Sequence, residues 1–393
     1  MVLLALSPGA SAQENGTKRI SVDEAVTLAK NNLMYQVNNE QINKGKAQVK
    51  TATALPKTGV FAENEDMRPS DNIGILKVGV SQNVAWPGLY KAQKNLYGEQ
   101  LKYFEANTAV IDVEIKRDVR TVYYQLWYLQ DKQRLYKQLD SIYQSLSNAA
   151  ILKVKTGDSP GLDSIAANVR MTELRAQIIQ LGNEIQIQQQ AFMQYLNSAE
   201  MMMPLLKPLE KLSIGGTLSD SLHPLLTLQS QNINIANAGI NVIRNENKPE
   251  FSGRFFSQRL WGAKDPFSGF SVTASFPLFG TNAYRNKVKA AQAEVAVQQK
   301  QFEYEKQVWS TKQTQLRQEV DKNKTMLLFY ESTGLKQADE IIKAASLAYR
   351  AGEISFAELS QFLTQAIEIQ KNHLENLNQY NQSVIRYNYY INQ

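Results

Sequence analysis

Residues 151–169 read ILKVKTGDSPGLDSIAANV, and residues 347–363 read LAYRAGEISFAELSQFL. In each, an apolar helical pattern stops at a glycine, Gly157 or Gly352, and restarts just beyond it. A basic residue (Lys155, Arg350) stands two positions before the glycine, and an acid (Asp158, Glu353) follows it directly. A second acid (Asp163, Glu358) comes five residues later, beside the apolar Leu162 and Phe356 that open the next helical stretch. A glycine can close a helix in the left-handed conformation at little cost, and an acid in a first turn is favoured by the helix dipole. Both stretches are therefore read as the tips of helical hairpins.

The hairpin arms are long. From Leu89 to about Lys155 there is no proline, and Gly98 is the one internal glycine. Leu101, Phe104, Thr108, Ile111, Ile115, Val119, Val122, Leu126 and Leu129 fall at steps of three and four, a heptad seam. Some 67 residues at 1.5 Å each make a helix of roughly 100 Å. The return arm runs from about Leu162 to Asn197, with Ile165, Val169, Leu174, Ile178, Leu181, Ile185 and Phe192 expected on its seam. The second half repeats the scheme, with a proline-free helix from about Asn282 to Ala351 and a return arm from about Phe356 to Asn392.

Each half also opens alike, with SVDEAVTLAKNN from Ser21 and SLHPLLTLQSQN from Ser221, 200 residues apart. The tips are 195 apart. The expected organisation is a tandem duplication, too long in period for a solenoid: a first repeat over 13–200, a linker over 201–220 and a second repeat over 221–393. The start, MVLLALSPGASAQ, reads as a leader over residues 1–12, apolar and ending in the small-x-small pattern of a signal-peptidase site, with no basic residue before it.

Ahead of each long hairpin the period changes from helical to two. In ILKVGVSQNVAWP, Leu76, Val78, Val80, Val84 and Trp86 share one face, and Lys77, Gly79, Ser81 and Asn83 the other. In GFSVTASFPLFG, Phe270, Val272, Ala274 and Phe276 oppose Ser271, Thr273 and Ser275. A further strand candidate precedes each, TGVFAENEDM and EFSGRFFSQRLW, so four strands are expected. The helices flanking them show little spare apolar surface. Trp86, Trp261, Phe276 and Phe279 stand at strand ends, where an aromatic belt meets a membrane interface. A sheet packed on a soluble core is the other reading of the same alternation. Four strands are too few to close a membrane barrel, which takes about eight or more, so spanning strands would need several chains in one barrel.

Composition removes whole classes of function. The chain has 393 residues and a net charge of +6, with no basic cluster that reads as a nucleic-acid patch. It has no cysteine, which excludes disulfides and thiol chemistry. The two histidines, His223 and His373, lie far apart and are expected on solvated helix faces. No catalytic triad, P-loop or dinucleotide motif is present, and no cofactor or metal is expected. Met201–Pro204 (MMMP) has no other ligand type beside it and reads as an apolar linker.

In the order and duplication of these parts the chain resembles the TolC family of outer-membrane efflux channels. The resemblance is carried by the tips VKTGDSPGLDSIAANVRMTELRAQ and YRAGEISFAELSQFLTQAIEIQ, by the strand-to-helix breaks WPGLYKAQ and FPLFGTNAYRNKV, and by the tandem plan over residues 20–392. Outer-membrane factors of the CusC and CzcC type are its neighbourhood in that family. The resemblance implies a mainly α fold with four strands per chain, a homotrimer with a shared twelve-stranded transmembrane β-barrel in outer-membrane lipid, and an α-helical periplasmic tunnel. It further implies passive export of solutes delivered by an inner-membrane pump, the RND type among the candidates, through a periplasmic adaptor that docks at Lys155, Gly157, Asp158, Leu162, Asp163, Arg350, Gly352, Glu353, Phe356 and Glu358. It implies no enzymatic activity. A periplasmic adaptor and a coiled-coil scaffold without a barrel stay open as alternatives on the helical pattern alone.

Overall fold

The computed structural model describes residues 17–68, 70, 73–157, 160–215, 222–260, 264, 266–277 and 280–392. The expected leader, Asp158, Trp261 and Phe279 lie outside them. The chain forms two compact units, and each draws on both sequence repeats: one holds residues 1–35, 111–221 and 309–393, the other 36–110 and 222–308. Repeat and unit are thus different partitions of the same chain.

The second of these units holds a four-stranded antiparallel sheet in the order β2 (Gly59–Arg68), β3 (Ile73–Val84), β5 (Glu250–Leu260), β6 (Phe267–Ser275). All four expected strands are present, and the two hairpins of the two repeats join edge to edge through β3 and β5. The helical partners in this unit are tied by short polar contacts. Asn38, on helix α2 (Leu33–Thr51), donates to the Phe104 carbonyl at 3.1 Å and the Thr108 hydroxyl at 2.8 Å, both on the long helix α3 (Pro87–Thr156). Gly45 lets Leu101 approach so closely that a Cβ there would lie 3.1 Å from its side chain. Gln231, on α5 (Pro224–Glu246), donates to the Glu99 carboxylate at 2.7 Å. His223 is not solvated as expected: it is buried, and its Nδ1 caps α5 by accepting the Leu225 N–H at 3.2 Å.

The other unit is helical, built from the remainder of α3 with α1 (Val22–Leu28), α4 (Gly161–Leu196), the end of α6 (Thr281–Phe329), α7 (Leu335–Ala351) and α8 (Phe356–Tyr390). Pro87 starts α3, where its fixed φ suits a first helical turn, and the helix runs unbroken for 70 residues. The α3 seam is buried as expected at Ile111, Ile115, Val119, Leu126 and Leu129. Around it Tyr123 meets Tyr124, Trp127 and Phe192 edge-on with centroids 5.8–6.0 Å apart. Side chains such as Val119, Leu126, Phe192 and Val384 are fully buried, each contributing about 1.5–3 kcal/mol of transfer free energy.

Three local features differ from expectation. The helix read over 282–351 is interrupted by a π-helical turn at Tyr330–Gly334. Ile165 and Val169, placed on the α4 seam, are 61% and 58% exposed, while Ala167, Leu174, Leu181 and Phe192 are buried. Ile179 and Ile187 are exposed as well, so α4 carries apolar side chains outside its buried stripe. Finally, the linker is structured. Met202–Pro204 forms β4, paired in parallel with β1 (Lys18–Ile20), and Met202 and Met203 are buried.

Beyond β4 the linker runs as a strap held by side chains of α3 and α8. Trp127 Nε1 donates to the Lys207 carbonyl at 2.7 Å. Asp131 accepts the Leu209 N–H at 2.6 Å. Asn381 accepts from Leu212 N–H at 2.8 Å and donates to the Glu210 carbonyl at 2.9 Å, and Asn388 accepts from Gly215 N–H at 2.9 Å. The buried Asp131, Asn381 and Asn388 thus satisfy backbone groups that a strand would otherwise pair.

Candidate functional site

The sheet has two chemically opposite faces. Its antiparallel register sets Val60 against Val80, Val80 against Phe255 and Phe255 against Phe270. These four are 80%, 45%, 58% and 80% exposed, one apolar row across every strand. Leu76, Val78 and Val272 extend that face and are 43%, 49% and 73% exposed. At its end Val84 opposes Phe251, on which Trp86 stacks at 6.3 Å. Phe276, just past β6, is 59% exposed. Asn64 and Arg259 share the face beside Leu76, and Ser257 beside Val78, so the apolar surface is a band along the Val60–Phe270 row, which is matched to lipid or to another protein more than to water.

The opposite face is polar and charge-compensated. Lys77 pairs with Glu65, and Arg254 pairs with Glu63. The Arg254 guanidinium lies 3.9 Å from the Phe61 ring centroid. Phe61 and Phe256 flank Gly79, and a Cβ on Gly79 would lie 2.2 Å from the Phe255 carbonyl oxygen, so only glycine fits. Serines and threonines complete the face, with Ser81 opposite Arg254 and Ser252 opposite Thr273. The strands have 10, 12, 11 and 9 residues, against the about 9–11 that a tilted strand needs to cross a bilayer. Outer strands β2 and β6 each have one strand neighbour among the described residues. Among those residues no helix is long and apolar enough to cross a membrane.

At the hairpin tips Gly157 and Gly352 have φ of +81° and +80°, the left-handed caps that stop α3 and α7. No atom would lie within 4 Å of a Cβ on either. Lys155, Leu162, Arg350 and Glu353 are exposed, and Asp163 is half-buried in the first turn of α4. Glu358 forms a capping box. Its carboxylate accepts from Ser355 N–H at 2.8 Å while Ser355 Oγ accepts from Glu358 N–H at 3.2 Å. Those hydrogen bonds hold its carboxyl below the usual range. Phe356 is 1% exposed, with its ring 6.0 Å from Tyr349, so it belongs to the core and not to the tip surface. Lys153 is a tip residue that sequence spacing does not single out. Its ammonium donates to the Tyr349 carbonyl at 2.7 Å and lies 4.3 Å from that ring, joining the two hairpins near their tips. Spacing from Gly157 favours the exposed Lys155, and the partner is nearly 200 residues away. Among the described residues no group of His, Asp or Glu is placed to hold a metal ion.

Tandem long-helix hairpins with four antiparallel strands, one face apolar and the other ion-paired, define the fold class of TolC-like outer-membrane channels. The chain has TM-scores of 0.80 with a membrane protein from Pseudomonas aeruginosa (15% identity, 95% of this chain and 91% of that one) and 0.78 with the transmembrane channel protein CusC (14%, 95% and 93%). With the outer-membrane channel CmeC of Campylobacter jejuni the score is 0.74 at 12% identity, over 100% of this chain and 93% of that one. No protein-family model matches the chain, and no curated protein matches it by sequence. At these identities the likeness is one of fold.

Proposed function

We propose that this chain is the outer-membrane channel of a tripartite efflux system. Three copies pool their strands in one barrel, and solutes delivered by an inner-membrane pump of RND type through a periplasmic adaptor pass down the helical tunnel without chemical change. The observation that carries this reading is the exposed row Val60, Val80, Phe255 and Phe270. It gives the sheet a lipid-facing side, while the ion-paired side with Glu63, Glu65, Lys77 and Arg254 suits a water-filled lumen. Four strands cannot close a barrel alone, and the outer edges of β2 and β6 supply the pairing surfaces for neighbouring copies. An adaptor or scaffold has no use for such a sheet.

In this reading the exposed tip residues Lys155, Gly157, Leu162, Arg350, Gly352 and Glu353 meet the adaptor together with Asp163, Asp158 (which lies outside the described residues) and the exposed helix-capping Glu358, while the buried Phe356 shapes the second tip from within. The test is fractionation followed by light scattering. The chain should stay with detergent-extracted outer membrane and have the mass of three copies. Recovery in the soluble fraction, or a stable monomer in detergent, would overturn the reading.

A further inference from the structure

The long helix α3 carries a basic cluster for which the channel reading has no use. Lys116, Arg117 and Arg120, with Asp112 and Val113, line one side of a cavity of about 70 Å³. Ile385 and Tyr389 of α8 and the following Asn392 line the other. All lie within one compact unit. That volume is several times the about 10–15 Å³ that one water requires.

The charged groups differ in how they are engaged. Arg117 Nε donates to Asp118 at 2.7 Å, and its guanidinium lies 4.5 Å from the Tyr389 ring. Asp112 accepts the Tyr35 hydroxyl at 3.0 Å. Lys116 and Arg120 have no hydrogen-bonded or ion-paired carboxylate among the described residues. They stand four apart on one helix face, where like charges repel. Burial first, and then Arg120, depress the Lys116 pKa, and the attraction of Asp112 and Asp23 does not restore it. Two half-buried cations thus face a cavity backed by the buried Ile385 and Tyr389.

We propose that this cavity binds a small oxyanion of the phosphate class between Lys116 and Arg120. A phosphate bridging the two would replace their repulsion by attraction. The planar guanidinium fork matches two of its oxygens, and the lysine ammonium supplies a point charge to a third. The buried apolar wall lowers the local dielectric and strengthens both contacts. The inference does not depend on the channel reading, since the site lies wholly within one chain.

The test is isothermal titration of the detergent-solubilised full chain with inorganic phosphate, at constant ionic strength against a chloride control. Saturable binding of phosphate is expected. Arg120→Gln and Lys116→Gln should each weaken it about tenfold or more, as loss of a charged hydrogen bond implies, while Lys343→Gln, on the exposed face of α7, should leave it unchanged. Lys116→Arg should retain binding and serves as the second variant if either glutamine change disturbs folding by circular dichroism. A parallel titration with glycerol 3-phosphate separates the sources. Equal affinity assigns the site to the free ion, and a preference for the ester assigns it to a headgroup or another phosphate monoester. Absence of saturable binding by either probe, or equal affinity in wild type and both glutamine variants, would overturn the proposal.

Discussion

Placing one negative charge on either face of the sheet separates the barrel reading from a sheet that merely lacks its soluble partner. Val78 lies on the apolar face, 49% exposed, with Ala62 and Ser257 opposite it on the flanking strands. A basic residue at the midplane of a barrel wall costs about 2–4 kcal/mol, and an acid less. Losing the half-exposed valine adds about 1 kcal/mol. Val78→Asp should therefore cost about 2–3 kcal/mol per chain, and a trimer carries that cost three times over. Even the single-chain figure corresponds to a loss of about 30- to 150-fold in the assembly equilibrium. Ser81→Asp is the matched control. Ser81 faces the other way, directly across from Arg254, where an opposite charge contributes about 0.2–1 kcal/mol favourably. The assay is the fraction of chain recovered as trimer from the outer membrane. Expected are a collapse for Val78→Asp and near wild-type recovery for Ser81→Asp. Equal losses would refute the assignment of faces, and equal tolerance would refute a lipid environment.

Further outcomes are expected elsewhere in the chain. Gly352→Trp meets no atom of its own chain near the Cβ but must adopt φ near +80°, so it should cost about 1 kcal/mol, leave the trimer intact and abolish export and adaptor cross-linking; wild-type levels of both would confine the tips to capping. Burial, opposed by the Leu209 amide and Arg134, raises the Asp131 pKa above its ordinary value of 3.8. The folded state therefore holds that proton more tightly, and this group's contribution to stability falls as pH rises from the unfolded value through the folded one. Asp131→Asn keeps an acceptor for Leu209 and removes the charge, so the melting temperature of the variant minus that of the wild type should grow as pH rises above the ordinary carboxylate value of 3.8; a flat difference would contradict the sign. Deleting Ser332 within the π turn should be tolerated, whereas deleting the exposed Lys137 from α3 should destabilise, as read by thermal melts of the two variants.

Long periodic elements were legible because each repeats its signal many times. The α3 helix, read from Leu89 to Lys155, spans Pro87–Thr156, and the strand alternation placed Leu76, Val78 and Val80 on the face where the structure has them exposed. What failed had a short or distant cause. Strands β1 and β4 are three residues each, anchored by contacts such as Tyr123 Oη to the Ile20 carbonyl at 3.0 Å, and no period shows in three residues. Ile165 and Val169 fit a seam by spacing, but which stripe of α4 is buried depends on the helices it meets. The pairing of Arg254 with Glu63 spans 191 residues of sequence and needs the β2–β3–β5 register before it can be seen. His223 precedes Pro224 at a helix start, and a proline at the first turn could have marked it as a cap.

Among the described residues, one asymmetry between the two halves is a matter of a single residue of helix length. From the strand-to-helix break to the tip, the first repeat has one helix of 70 residues. The second has pieces of 49, 5 and 17, together 71. Both arms must reach a glycine-capped tip while keeping their seams on the same face along their length. An extra residue in a regular α-helix rotates everything beyond it by about 100°, which would turn the buried Ala345 and Tyr349 outward. A π turn absorbs one residue without that rotation, and Tyr330–Gly334 is where the chain places it. Gly334 suits the spot because a Cβ there would lie 3.0 Å from the Tyr330 ring and 3.3 Å from Ile369. The linker strap reaches the same turn, with Lys211 paired to Glu331 at 3.2 Å. Removing the extra residue should therefore restore an ordinary helix in register, whereas α3 has no surplus to give up. The two halves are not interchangeable at this point, and the linker, held by Trp127 and Asp131 of α3 and by Asn381 and Asn388 of α8, also reaches the turn through Lys211.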